Sequence, residues 1–144
     1  VLNAVAVDIA NAVVSALNAE TFSQAFTASR TWVPRETLED LKTLTVSVVP
    51  ETVRAERHDR AQFTEDHRIV VAVRKKLDGD DLTDVDPYVL LVQEIADYLR
   101  AARPPTYQDA APVGVEIDPI FAPDQLDTKR QFTSVLTVTY QVFR

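Results

Sequence analysis

The hydrophobic positions of this chain change period several times, and each change marks an element. In "RQFTSVLTVTYQVFR", residues 130–144, Phe132, Leu136, Val138, Tyr140 and Val142 fall on one side of an extended chain. Gln131, Thr133, Thr137, Thr139 and Gln141 fall on the other. The segment predicts a strand with one apolar and one threonine-rich face. "TLTVSVVP" has the same form, with Leu44, Val46 and Val48 set against Thr43, Thr45 and Ser47, and Pro50 marks its end or a bulge. "HRIVVAVRKKL" alternates Ile69, Val71 and Val73. The charged stretch "ETVRAERHDRAQFTED" between these two strands predicts a long hairpin with a projecting, charged middle.

Helical spacing appears twice. Val5 and Ala6, Ile9, Val13 and Leu17 form a stripe in "VLNAVAVDIANAVVSALNAE", with Asn3, Asp8, Asn11 and Ser15 outside it. Tyr88, Leu91, Val92, Ile95 and Leu99 form a second stripe, with Asp86 as a candidate N-cap, Pro87 at the first helical position and Pro104 and Pro105 as the stop. Alternation over "TFSQAFTASRTWV" predicts another strand, and "VGVEI" a short one. "RETLEDLK" and "DPIFAPDQLD" read as connections. The expected fold is a single α+β domain over residues 1–144. Its sheet is mixed and mainly antiparallel, with two amphipathic helices packed on one face and a projecting charged hairpin.

Composition narrows what such a domain can do. The chain has 144 residues, no cysteine and a net charge of −7. Disulfides and thiolate metal sites are excluded, and a reducing compartment is expected. No apolar run approaches the length of a membrane span, so neither a membrane partner nor a leader is expected. An acidic chain lacks the basic surface that a phosphate backbone requires, although DNA could pass it without being held. With only two glycines, a glycine-rich phosphate cradle has no material.

Candidate chemistry is sparse. His58 and His67 could face each other across the hairpin with Glu56, Asp59, Glu65 or Asp66 around a metal, or they could belong to a solvated charged loop. The cluster Asp78, Asp80, Asp81, Asp84 and Asp86 fails the calcium-loop pattern, since Thr83 stands where glycine is required and Val89 where glutamate is. Those aspartates read as turn and capping residues. No nucleophile motif surrounds any serine. The expectation is a protein that is not an enzyme and holds no cofactor.

Two features point to assembly. Ser and Thr line the second face of several strands, which suits either bare solvent or contact with another subunit. Seven of the fifteen basic residues lie between Arg54 and Lys76, interleaved with four acids. They form either a solvated hairpin or an arm that docks on an acidic neighbour. The candidate interface residues are Arg54, Arg57, Arg60, Arg68, Thr133, Thr137 and Thr139. Reversing Arg57 and Arg60 is expected to disturb assembly more than folding.

The stretches "LTVSVVP", "VAVRKKLDGDD", "EIADYLR" and above all "PIFAPDQLDTKRQFTSVLTVTYQVFR", in this order of helix, strands, helix and strands, resemble neck proteins of tailed bacteriophages. The resemblance is greatest to the tail terminator, or tail-completion, group. It implies a six-membered ring at the head-proximal end of the tail tube, which caps the tube and meets a head connector or stopper protein while DNA passes through its lumen. The implied location is the virion, with assembly in the host cytoplasm. No catalytic residues come with that group. Two alternatives stay open: another neck position, stopper or adaptor, and an unrelated metal-dependent enzyme built on His58 and His67.

Overall fold

The computed structural model describes residues 3–32, 44–77, 85–101, 103–118, 120 and 131–144. The elements follow the order α1 (Val5–Ala19), β1 (Thr27–Arg30), β2 (Thr45–Arg57), β3 (Phe63–Lys76), α2 (Asp86–Ala101), β4 (Ala111–Ile117) and β5 (Gln131–Phe143). The fold is α+β. Five strands form one mixed, mostly antiparallel sheet in the order β1-β2-β3-β5-β4, in which only the β1–β2 pair is parallel.

Strand register explains where the core lies. Val46 pairs with Val73, Val48 with Val71, Ile69 with Val138, and Val71 with Leu136, so the apolar members of three strands share one face. Both helices lay their stripes on it: Ile9, Val13 and Leu17 from α1, and Leu91, Val92, Ile95 and Leu99 from α2, join these residues in one buried cluster. Ala10, Ala12 and Ala16 keep α1 close to the sheet, where a larger side chain would hold it off. Tyr88 stacks on Phe132 with ring centroids 5.7 Å apart, and Tyr98 donates its hydroxyl to the Ala16 carbonyl at 3.4 Å, tying α2 to α1. Ser23 of the following segment donates to the Glu94 carboxylate. β5 lies between β3 and β4, and its Phe132, Leu136, Val138, Tyr140 and Val142 are all buried.

Two expectations need correction. The strand expected over residues 21–33 shrinks to Thr27–Arg30. Phe22 and Phe26 instead stack on each other at 5.5 Å, with Phe22 edge-on to Tyr98 at 5.7 Å, so aromatic packing replaces strand pairing there. Of the two roles expected for Pro50, the bulge is the one found: β2 runs through it to Arg57, with a register shift between Pro50 and Thr52. Proline is tolerated there because β1 stops opposite Val48, which leaves the rest of β2, among the described residues, with a neighbouring strand on one side only. Asp86 is the first residue of α2 and not the residue before it, a difference of one position at a helix end. "RETLEDLK", most of "DPIFAPDQLD", and Asp78, Asp80, Asp81 and Asp84 lie outside the described residues. Among the described residues no helix is long and apolar enough to cross a membrane.

Candidate interaction surface

One edge of the sheet has two unlike parts, β1 and the outer half of β2, while β4 forms the other edge. On β1, Ala28 turns its N–H and C=O away from β2, and Asn18 of α1 meets both: the Asn18 Oδ1 accepts from the Ala28 N–H at 2.7 Å, and its Nδ2 donates to the Ala28 carbonyl at 3.1 Å. One amide side chain thereby takes the place of a neighbouring strand. Glu51–Arg57 of β2 has no such cover among the described residues, and all seven of its residues are exposed.

That edge belongs to an arm of three strands. β3 pairs with β2 out to Phe63 opposite Arg57, and β5 runs alongside until Phe143 pairs with Thr64. Arg144 closes the end by donating its N–H to the Phe63 carbonyl at 2.8 Å. The hairpin turn is held by Asp59, whose Oδ1 accepts from the N–H groups of Ala61 at 2.8 Å and Gln62 at 2.9 Å. These two backbone bonds hold the Asp59 carboxyl below its ordinary range, because they favour the charged form. The projecting charged hairpin is therefore an arm stiffened along one side by the last residues of β5.

Register decides which candidate residues meet. Thr52 stands opposite Arg68, Arg68 opposite Thr139, and Val70 opposite Thr137, all on the face turned away from the helices. Arg54, paired with Asp66, and Thr133, paired with Arg74, share that outer face. Five of the seven candidates thus lie together: Arg54, Arg68, Thr133, Thr137 and Thr139. Arg57 does not join them. It points to the helix side, with its guanidinium carbon 5.8 Å from the Phe63 ring centroid, and Arg60 sits in the turn.

Cover over the outer face is uneven. Ser47 is fully buried on it, with the Arg74 guanidinium donating to its hydroxyl at 3.3 Å. Thr133, Thr137 and Thr139 are half-buried among their strand neighbours. Toward the arm the face opens, and Arg68, Gly114, Val115, Glu116, Thr137 and Thr139 line a shallow depression. This surface offers hydroxyls and one cation at fixed spacing.

The basic stretch divides as well. Arg74, Lys75 and Lys76 lie at the far end of β3, opposite Thr133, Phe132 and Gln131, whereas Arg54, Arg57, Arg60 and Arg68 stay on the arm. The arm arginines are matched by Glu56, Asp59, Glu65 and Asp66. Arg54 lies 3.9 Å from Glu56 along one strand, Gln141 donates to Asp66 at 3.4 Å, and Arg144 donates to Glu65 at 3.4 Å. The arm is an alternation of charges and not a basic patch.

His58 and His67 do not face each other. His67 is buried on the helix side, its Nε2 3.2 Å from Glu65 Oε1, while the His58 ring packs edge-on against Phe143 on the other side at 5.3 Å. Among the described residues no three His, Asp or Glu side chains come together as a metal site.

Two aspects escaped sequence reasoning. Val53 and Phe63 on the helix side of the arm, and Phe143 on the outer side, are exposed at 48%, 44% and 53%. Alternation alone would have placed Phe143 outward, but that Phe63 lies beyond the helices depends on how far they reach. Arg144 joins Glu65 and His67, two neighbours on one face of β3, from far along the chain, and only register brings it there.

No protein-family model matches the chain, and no curated protein matches it.

Proposed function

We propose that this chain is a structural subunit of the head-tail junction of a tailed bacteriophage, forming a ring that caps the tail tube and joins it to the head connector. The observation that supports this best is the division of the sheet. One face is closed by two helices, while the other presents Arg68, Thr137 and Thr139 beside a stiff arm of alternating charge. A threonine-lined face keeps strand propensity and stays polar, so it can be wet in the free subunit and covered in an assembly.

The mechanism is steric. The ring, six subunits around an axis, lays one surface on the last ring of the tube and denies the next tube subunit its template. Neighbouring subunits meet through unlike patches, the geometry that closes a ring by rotation. The acidic chain, with a net charge of −7, leaves passing DNA unbound, since like charges repel. The resemblance of the closing strand and its preceding segment to tail terminators supports the tube-capping position over others in the neck.

Labelling the protein in intact particles tests the reading. Label at the last ring of the tube is the expected result. Label at the portal would move the protein to a stopper or adaptor position, and label nowhere in the particle would end the virion reading.

A further inference from the structure

We infer that the free subunit pairs with a second copy of itself through the outer half of β2, the two strands running antiparallel about a two-fold axis at Ala55. Glu51–Arg57 is exposed throughout and, among the described residues, flanked by β3 alone, so its outward N–H and C=O groups stand ready to continue a sheet. Beside it on the same edge, the outward backbone of Ala28 in β1 is occupied by Asn18; the opposite edge is β4.

The side chains choose the partner and the register. A two-fold axis perpendicular to the sheet keeps each face continuous, so it must pass through a residue facing its own twin. With the axis at Ala55, Arg54 of each copy stands opposite Glu56 of the other, which gives two cross-strand ion pairs on the outer face. Arg54 and Glu56 side chains are each 76% exposed in the free chain and only 3.9 Å apart along their own strand, so both are free to turn to a partner. On the other face Val53 meets Arg57, beside the exposed Phe63 ring. Moving the axis to Arg54 or Glu56 opposes like charges, and moving it to Val53 sets Arg54 against Thr52. The charges that guard this edge against arbitrary strands complement the same segment in one register.

The contact is small, which makes the pair weak and dependent on concentration. A cyclic ring contains no such two-fold axis, so the pair is a state of the free subunit. It does not rest on the neck reading.

The test uses the full chain, which has no cysteine of its own. Opposed residues on an antiparallel pair lie about 4.5 to 5.5 Å apart between Cα atoms, within reach of a disulfide. Ala55→Cys should therefore oxidise to a covalent dimer at least ~10-fold faster than Glu51→Cys, whose twin is on the order of 26 Å away at about 3.3 Å per residue. Sedimentation equilibrium from micromolar to millimolar protein should show a monomer–dimer equilibrium. It should be weakened by Arg54→Glu and restored by Arg54→Glu with Glu56→Arg. Equal cross-linking at the two positions, a monomer at every concentration, or a charge swap that fails to restore pairing would overturn the inference. Growth beyond a dimer without cross-linking at residue 55 would assign this edge to a different strand, such as β4.

Discussion

Arg68 stands directly opposite Thr139 across the β3–β5 ladder, on the face turned away from both helices, with Thr52 on its other side. This places the one exposed arginine of the central strand at the meeting point of the charged arm and the threonine face. Arg68→Glu should therefore block incorporation into tails while changing unfolding free energy by no more than about 0.5 kcal/mol, as for other surface positions. Arg57→Glu with Arg60→Glu, which lie off this face, should impair incorporation less. Particle assembly assays beside urea unfolding of each variant make the comparison. Equal failure of all the variants to assemble would remove the outer face from its central role.

The core is more conventional. Leu136 and Ile95 are both fully buried, one from the sheet and one from α2. Leu136→Ala or Ile95→Ala should each lower stability by about 2 to 5 kcal/mol. Denaturant melts with an unchanged m-value would confirm a simple loss of packing.

Asn18 supplies the missing neighbour of β1 through two hydrogen bonds to Ala28. At roughly 0.5 to 1.5 kcal/mol net for each bond, Asn18→Ala should destabilise the chain by about 1 to 3 kcal/mol. Faster hydrogen exchange at the Ala28 amide should accompany the loss, and unchanged protection there would show that the edge needs no cap.

Tyr140 is buried between the sheet and the helices, and burial pushes its hydroxyl well above the ordinary tyrosine range, with Tyr98 nearby adding to the shift. The raised value means that the folded chain holds this proton where the unfolded chain releases it. Stability should thus be complete below about pH 10 and fall as pH rises above it. Tyr98 and Tyr107 shift in the same direction, so Tyr140→Phe should flatten the decline without abolishing it. Thermal melts across the alkaline range provide the readout.

The turn at the arm's tip responds at the opposite end of the scale. Asp59 is held below 3.8 by its bonds to the Ala61 and Gln62 amides, so those bonds persist as pH falls through the ordinary aspartate range. Their contribution is lost only as the carboxyl takes up its proton below that value. Amide shifts of Ala61 and Gln62 should titrate together with a midpoint below 3.8. A midpoint above it would mean the turn is open in solution.

Much of this architecture was legible because alternation is a strong signal. Phe132, Leu136, Val138 and Tyr140 read as one face of a strand, and that face is buried. The stripes of α1 and α2 were equally plain, since their period matches a helix and their partners are apolar. Phe22 and Phe26 misled because aromatic residues four apart pack on each other as readily as they alternate along a strand. Beyond the β2–β3 hairpin, the pairing of strands was not legible. Whether Arg68 meets Thr139 or a residue two positions away depends on the register of β3 against β5, which no turn fixes because α2 and β4 lie between them in sequence. The turn at Asp59 and the shift after Pro50 act on β2 and β3 alone. For that reason the seven candidate interface residues could be named from the sequence, but their division between two faces and a turn could not.

The measurement that tests the central proposal most directly is the length of tails assembled in the absence of this protein, read by electron microscopy of the particles. A capping ring predicts tubes that overrun their normal length and heads that stay unjoined. Tails of normal length, joined to heads as usual, would contradict it.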